Sequence, residues 1–299
     1  MNGNGMTGVP ITRLQVAANG LSFAVQTCGE GDRLALCLHG FPDDAIAWRH
    51  QLPMLARLGY RAWAPNQRGY AGSSRPHGIA AYGVDRLLDD VAGLIDASGA
   101  TSTVLIGHDW GALVAWCFAA RKVRPLERLV IMNVPHPLCF NAAVRHWRQA
   151  RKSWYSAFFQ LPGLPDALLS RRGGALVRRM VLGSARDPAR FPPAVLDTLC
   201  RNAAEPGAAT AMLNWYRAAW RDGALRDRRL EQPIDTPTLL IWGEEDVALD
   251  LITLDGTERY VRDLTLRRLP GVSHWVQQEA PERVNAMLTA FLSGQPVPS

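Results

Sequence analysis

Two periodic patterns of hydrophobic residues, one typical of strands and one typical of helices, alternate along this chain. Apolar and polar residues first alternate on both sides of Asn19-Gly20, a dipeptide that suits the positive φ angles of a type I′ turn, so an opening β-hairpin is predicted. Short apolar runs typical of buried strands then alternate with segments of helical period, which predicts a mostly parallel sheet with helices on both faces. The predicted strands after the hairpin are 33–39, 60–66, 101–107, 127–134, 236–243 and 264–271, and the predicted helices are 46–58, 85–98, 112–121 and 281–292.

The alternation of strands and helices is interrupted once. From Pro135-His136-Pro137 through residue 230 the chain shows only helical patterns, Pro-Gly turns and arginines, and strand-helix order then returns. We therefore predict one α/β core in two parts, residues 1–135 and 231–299, with a helical cap inserted at 136–230. This insertion is called the cap segment below.

Composition narrows the functional classes. The 299 residues are 47% hydrophobic and 20% charged, as in ordinary globular proteins, and no apolar run approaches the roughly 20 residues of a membrane helix. The first ten residues have neither the basic region nor the apolar stretch of a secretory signal, so we expect a cytoplasmic protein without a membrane partner. The cysteines form no CxxC pair and are expected to be reduced and mostly buried, at positions 28, 37, 117, 139 and 200.

The net charge of +6 is concentrated in one region. The cap segment carries 16 Lys and Arg residues against six Asp and Glu residues. Its arginines are interleaved with Trp, Leu and Pro, and the chain has no helix-turn-helix, zinc-finger or RNP signature. We therefore predict a solvated, arginine-rich helical surface and no nucleic-acid partner.

A GHDWG motif at 107–111 lies between a predicted strand and a predicted helix. This spacing is typical of a nucleophile elbow, a strained turn in which glycines relieve crowding, and its central residue is Asp109 rather than the commoner serine. A carboxylate is already ionised at neutral pH and can displace at a saturated carbon, as in an epoxide or alkyl halide, to leave an alkyl ester. The alternative is that Asp109 only caps the following helix.

Hydrolysis of such an ester needs a base, and two predicted strand ends supply candidates. Asp246 and His274 each follow a predicted strand, so both are expected at the sheet edge where open α/β sheets gather their active sites. We predict that His274 activates water and that Asp246 orients its imidazole. His39 and His108 are close to the site in sequence and are expected to make supporting hydrogen bonds.

The tetrahedral intermediate of ester hydrolysis also needs hydrogen-bond donors for its oxyanion. The backbone N–H of Trp110, directly after the nucleophile, and that of Phe41, in the HGFP turn at 39–42, are predicted to supply them. An ordinary Gly-Pro turn is the alternative interpretation of HGFP.

Together these motifs resemble the α/β-hydrolase fold in its epoxide hydrolase branch, close to the catalytic domain of the soluble epoxide hydrolases. The similarity extends over residues 12–293, and the order nucleophile, acid, histidine is that of the fold. HGFP and the elbow are shared with dehalogenases, whereas two cap motifs discriminate the epoxide hydrolases. The motifs that carry the resemblance are HGFP, GHDWG, WYSAFFQLPG at 154–163, LNWYR at 213–217, GEEDVAL at 243–249 and SHWVQ at 273–277.

The resemblance implies a role for Tyr155 and Tyr216, which match the two cap tyrosines that hold the epoxide oxygen in this family. By spacing alone, each falls on an apolar helical stripe, and core tyrosines would be the better interpretation. A phenol stays protonated at neutral pH and can donate to the oxygen of an opening ring. The resemblance therefore implies hydrolysis of an epoxide to a vicinal diol through an ester on Asp109, with no cofactor or metal.

Two other functions remain open from the sequence. A haloalkane or haloacid dehalogenase uses the same Asp, His and acid, and the Trp110 indole could bind the departing halide. The epoxide hydrolase hypothesis is preferred because haloalkane dehalogenases usually carry Asn or Glu in place of Phe41, and fluoroacetate dehalogenases carry Arg in place of Trp110. A non-catalytic receptor for a small apolar ligand would use the same fold without needing an intact catalytic set.

The substrate is expected to be a small molecule whose identity the sequence leaves open. The aromatic residues of the cap segment indicate a fairly apolar pocket, and its arginines either favour carboxylate-bearing epoxides or belong to the surface. Both a monomer and a homodimer are compatible with the sequence. The residues predicted to contact substrate are Phe41, Trp110, Trp154, Phe158, Trp215 and Trp275.

Overall fold

The computed structural model describes residues 9–223 and 226–299 and contains an eight-stranded sheet. Its order is β1-β2-β4-β3-β5-β6-β7-β8, in which β2 is antiparallel to β1 and to β4, and all other neighbours are parallel. The predicted mostly parallel sheet is therefore confirmed. The strands are β1 (Thr12–Ala18), β2 (Leu21–Cys28), β3 (Arg33–Leu38), β4 (Tyr60–Pro65), β5 (Ser102–His108), β6 (Arg128–Met132), β7 (Thr238–Gly243) and β8 (Leu264–Leu269).

The opening hairpin forms where the sequence predicts it. Ala18 pairs with Leu21 across a two-residue turn, and Asn19 and Gly20 have φ angles of 50° and 70°. Both values are positive, as a type I′ turn requires. Residues 1–8 lie outside the described residues. They include most of the ten-residue N-terminal segment that we predict not to be a secretory signal.

The core helices are α1 (Leu52–Arg57), α2 (Val84–Ser98) and α3 (Trp110–Ala120) before the cap segment, and α10 (Val276–Glu279) and α11 (Pro281–Leu292) after it. The single helix predicted at 46–58 is wrong. A 3₁₀-helix at Ala45–Trp48 is followed by a turn before α1 begins. Pro53 explains the division, because proline lacks the N–H that a helix interior needs and fits only the first turn, where it lies in α1.

Alternating side chains of the sheet fill two hydrophobic layers. In β5, Leu105 belongs to the layer with α2, α3 and the helices of the cap segment, whereas Val104 and Ile106 belong to the layer with α1 and α11. Burial on both faces explains why this strand is apolar throughout rather than alternating. The five cysteines are free and buried, as predicted.

Between β6 and β7 the structure forms helices and turns and, within the described residues, no strand. No helix in the described ranges is long and apolar enough to cross a bilayer. The longest helix is interrupted at 171–174, where Gly174 packs so closely that a Cβ would lie 2.2 Å from the carbonyl oxygen of Cys200. These helices are α4 (Pro137–Ala143), α5 (Trp147–Lys152), α6 (Trp154–Phe158), α7 (Leu164–Ser184), α8 (Pro193–Ala204) and α9 (Ala208–Asp222).

Candidate active site

The GHDWG motif forms a sharp turn from β5 into α3. Asp109 adopts φ 50° and ψ −124°, a strained conformation for a residue other than glycine. The turn is tight because a Cβ on Gly107 would lie 2.5 Å from the carbonyl oxygen of Gly111, and one on Gly111 would lie 2.2 Å from that of Leu38. Both glycines of the motif are therefore required by close backbone packing.

The Asp109 carboxylate does not cap α3, because its side chain makes no capping hydrogen bond with that helix. Its Oδ1 accepts a hydrogen bond of 2.7 Å from the backbone N–H of Phe41, and its Oδ2 lies 3.4 Å from Nε2 of His274. Asp109 occupies the N-cap position of α3, but the interpretation that its side chain only caps this helix is wrong. The carboxylate is directed toward the HGFP turn and the imidazole instead.

Asp246 and His274 meet Asp109 at the carboxyl edge of the parallel strands. Nδ1 of His274 lies 2.7 Å from Oδ2 of Asp246, while the other Asp246 oxygen accepts from the backbone N–H groups of Ala248 at 2.7 Å and Leu249 at 2.9 Å. The three side chains therefore form a connected Asp-His-Asp arrangement. The Nδ1 edge of the imidazole binds Asp246, and Nε2 on the opposite edge faces the Asp109 carboxylate.

The histidines next to the site make backbone hydrogen bonds. Nε2 of His108 is 2.8 Å from the carbonyl oxygen of His274, and Nε2 of His39 accepts from the backbone N–H of Gln67 at 3.1 Å. Burial is the main cause that lowers the pKa of His39 to about 4 and that of His108 to about 3. Both rings are therefore neutral supports of the surrounding loops, in agreement with their predicted role.

A cavity of about 580 Å³ lies above the Asp109 carboxylate and is lined by helices of the cap segment. Tyr155 from α6 and Tyr216 from α9 both line it, with ring centroids 6.1 Å apart. Burial, followed by the negative charge of Asp109, raises the pKa of each phenol. Both tyrosines are therefore protonated hydrogen-bond donors near the carboxylate.

Comparison with known proteins identifies the family to which this chain belongs. The family described as the alpha/beta hydrolase fold matches residues 36–281. The chain is 37% identical over 282 residues to the AB hydrolase superfamily protein YfhM of Bacillus subtilis, covering 94% of this chain and 97% of that one. It is 34% identical over 322 residues to Epoxide hydrolase A of Mycobacterium tuberculosis, covering 96% and 98%. The chain belongs to the epoxide hydrolase family of the α/β hydrolases.

Solved structures of this family agree with the fold. The crystal structure of a Bacillus megaterium epoxide hydrolase in complex with an inhibitor is similar with a TM-score of 0.86 and 31% identity, covering 94% of this chain and 100% of that chain. Membership of the epoxide hydrolase family makes the protein a hydrolase and confirms the predicted α/β-hydrolase fold.

Burial and charge act in opposite directions on the pKa values of Asp109, Asp246 and His274. Burial alone would raise the pKa values of Asp109 and Asp246, but hydrogen bonds to His274 and its positive charge hold both below their ordinary range. Burial alone would lower the pKa of His274, but the charges and hydrogen bonds of the two carboxylates raise it to about 10. The resting imidazole is therefore protonated at neutral pH.

This raised pKa makes the stability of the hydrolase depend on alkaline pH. Below the ordinary histidine pKa of 6.5, His274 is protonated in the folded and unfolded chain, so its stabilising interaction with the carboxylates is fully present. The contribution is lost as pH rises toward about 10. We expect the melting temperature of the wild type to exceed that of His274→Gln by several degrees more at pH 6.5 than at pH 10, measured by thermal unfolding. A constant difference across this range would contradict the assignment.

Sequence reasoning missed one residue that contacts the acid. Asn133 directly follows β6, is fully buried, and has a φ of 47°. Its Nδ2 donates to Oδ2 of Asp246 at 2.7 Å, and its Oδ1 accepts from the backbone N–H of Gly243 at 2.8 Å. The sequence feature that could have identified Asn133 is a polar residue at the carboxyl end of a buried strand, the same pattern that identified Asp246 and His274.

The predicted substrate contacts divide into two groups. Trp110 and Trp154 line the cavity, and Trp154 lies at its mouth because it is 66% exposed. Phe41, Phe158, Trp215 and Trp275 are not among the lining residues.

The four aromatic residues that do not line the cavity make other contacts. The ring of Phe41 contacts Tyr216, and that of Phe158 contacts Trp154. The Trp215 indole donates to the carbonyl oxygen of Arg68 at 3.1 Å, and the Trp275 indole donates to Ser184 Oγ at 2.9 Å. Trp215 differs from its neighbour Tyr216 because consecutive helical residues point in directions about 100° apart.

Proposed function

We propose that the protein hydrolyses an epoxide to a vicinal diol through a covalent ester on Asp109. The observation that carries this proposal is that one cavity brings together the Asp109 carboxylate and two protonated phenols, those of Tyr155 and Tyr216. A carboxylate supplies a nucleophile for a ring carbon, and phenols supply donors for the oxygen that leaves it. The carboxylate without the phenols, or the phenols without the carboxylate, would supply only half of what the reaction needs.

The first step forms the ester and opens the ring. Phe41 holds Oδ1 of Asp109 through its N–H, so the other oxygen, Oδ2, which faces Nε2 of His274 at 3.4 Å, attacks the less hindered or better activated ring carbon. As the carbon–oxygen bond of the ring breaks, Tyr155 and Tyr216 donate hydrogen bonds to the developing alkoxide, and one phenol supplies its proton. The product is a 2-hydroxyalkyl ester of Asp109.

The second step hydrolyses the ester. Esterification removes the Asp109 charge, which is one cause of the raised pKa of His274, so the imidazole loses its proton more readily than in the resting site. This proton restores the phenol that protonated the opened oxygen. Neutral His274, oriented by Asp246, then takes a proton from water as the water oxygen attacks the ester carbonyl carbon.

Hydrogen bonds to the carbonyl oxygen assist the second step. Phe41 already donates to Oδ1, the oxygen that becomes the ester carbonyl, and the N–H of Trp110 at the start of α3 is the second proposed donor. Collapse of the intermediate transfers the second proton of the attacking water to the leaving oxygen and expels the diol with one oxygen from Asp109. The carboxylate retains one oxygen from water, and His274 is again protonated. The substrate is thus a small-molecule epoxide, and both steps use side chains and backbone groups of this chain.

A substrate panel tests this function. Wild-type protein is incubated separately with styrene oxide, a fatty-acid epoxide and a chloroalkane, and the release of diol and of chloride is measured. We expect diol from at least one epoxide and no chloride, because paired phenols match an alkoxide leaving group. Chloride release without diol would identify a dehalogenase, and binding without turnover of any compound would favour the receptor hypothesis.

A further inference from the structure

Ring opening in the proposed function requires two phenols on different helices to reach the same oxygen. Tyr216 is well anchored because α9 is buried along most of its length. Tyr155 lies on α6, a helix of only five residues, which are half-buried or exposed, and Tyr155 itself is half-buried. The packing of α6 alone therefore does not fix the position of Tyr155, and another contact must hold this helix.

Arg217, the residue next to Tyr216, provides that contact. Its side chain is almost fully buried, its Nε donates to the carbonyl oxygen of Phe159 at 3.0 Å, and its Nη2 donates to that of Leu161 at 2.9 Å. Phe159 is the C-cap residue of α6 and Leu161 lies two residues further on, so Arg217 binds carbonyl groups in the turn by which the chain leaves this helix. Such carbonyls lack partners within a helix, and a cation placed there also interacts favourably with the helix dipole.

The guanidinium is itself held in one orientation. Nη1 and Nη2 bind the two oxygens of Asp166, in the first turn of α7, at 3.1 and 2.6 Å, and Nη1 also contacts the side-chain oxygen of Asn214 at 3.3 Å. With the two carbonyl groups, this occupies all five N–H donors of Arg217. A lysine cannot reproduce that planar set of bonds.

The ring of the anchored residue, Phe159, packs against both phenols. The ring centroid of Phe159 is 5.7 Å from that of Tyr155 and 5.0 Å from that of Tyr216. A shift of the Phe159 backbone would therefore move a ring that packs against both tyrosines. The hydrogen bond from Arg217 of α9 to the Phe159 carbonyl therefore affects the distance between the two phenols.

We propose that Arg217 is a positioning residue for ring opening, which holds α6 so that Tyr155 and Tyr216 converge on one epoxide oxygen. This inference rests on the proposed function. Arg217 does not line the cavity, so it acts through the position of Tyr155 rather than by touching substrate. Its loss should slow formation of the ester and leave hydrolysis of the ester unchanged.

The test measures ester formation on Asp109 by quenched-flow mass spectrometry with styrene oxide, in a His274→Gln background that accumulates the ester. Arg217→Lys should slow ester formation about 10- to 100-fold, since misplacing a reacting group by about 1 Å costs up to this amount. In a Tyr155→Phe background the same change should alter the rate by less than about twofold, because the donor that Arg217 positions is already gone. Hydrolysis of the ester, measured with His274 intact, should be unchanged.

Two further variants distinguish loss of the proposed positioning from a general loss of structure. Asp166→Asn keeps Arg217 but weakens its orientation, and should slow ester formation in the same direction by a smaller factor. Arg178→Lys is the matched control, because Arg178 forms an ion pair with Asp197 elsewhere in the cap segment, and it should retain the parent rate.

Three results would show whether the positioning role alone fails or the proposed function fails with it. Equal losses from Arg217→Lys with and without the Tyr155 hydroxyl, or equal slowing of both chemical steps, would overturn the positioning role alone. An unchanged rate in Asp166→Asn and Arg217→Lys would also overturn it. No ester from any epoxide, with no diol from the wild type, would overturn the proposed function and this inference with it.

Discussion

Replacing His274 by Gln is expected to leave the protein able to form the Asp109 ester and unable to release it. Attack by the carboxylate needs no base, whereas hydrolysis of the ester needs the imidazole that faces Asp109 at 3.4 Å. Loss of a general base typically costs about 10²- to 10⁴-fold, so steady-state diol formation should fall about 10³-fold or more. Intact-protein mass spectrometry should show a stable adduct of one epoxide per chain.

The adduct should map to one peptide. Digestion of His274→Gln after reaction with epoxide should place the added mass on the peptide that contains Asp109, and His274→Gln combined with Asp109→Ala should form no adduct. Steady turnover by His274→Gln, or an adduct that persists without Asp109, would show that another residue carries the chemistry.

Removing both phenols is the second change with a large expected effect. Tyr155→Phe combined with Tyr216→Phe keeps the aromatic packing of the cavity but leaves the opening oxygen without donors. Because loss of a single oxyanion donor costs about 10²- to 10³-fold, ester formation should slow by about 10³-fold in the double variant. Each single variant should lose less, since the remaining phenol still donates. The rate is measured as appearance of the adduct in the His274→Gln background.

A matched tyrosine separates this effect from a loss of bulk polarity. Tyr260 stacks on His136 and does not line the cavity, so Tyr260→Phe should keep the parent rate. Retained epoxide opening in the double variant would remove the observation on which the epoxide assignment depends and would favour a halide leaving group.

Local sequence determines most of the core and the elbow. The turn at Asn19-Gly20 and the glycines of GHDWG were predictable because each is required by backbone geometry within a few residues. The carboxyl ends of parallel strands also predicted that Asp246 and His274 would approach each other. The structure brings these two residues within 2.7 Å.

Contacts distant in sequence were harder to predict. Helical period placed Trp215 and Tyr216 in the same cap motif, but only the packing of α9 shows that Tyr216 lines the cavity while Trp215 packs behind it. Arg217 has no visible role in the sequence because its partners, at 159, 161 and 166, lie 51 to 58 residues away, in the turn after α6 and the first turn of α7. The break in α7 likewise depends on close packing of Gly174 against α8.

The most direct test of the central claim follows the oxygen atoms through one turnover. Excess wild-type protein reacts with a limiting amount of epoxide in water labelled with heavy oxygen, and the diol and the Asp109 peptide are analysed by mass spectrometry. The ester mechanism predicts an unlabelled diol and one heavy oxygen in the carboxylate of Asp109. A labelled diol and an unlabelled Asp109 peptide would contradict it, because water would then have attacked the epoxide directly.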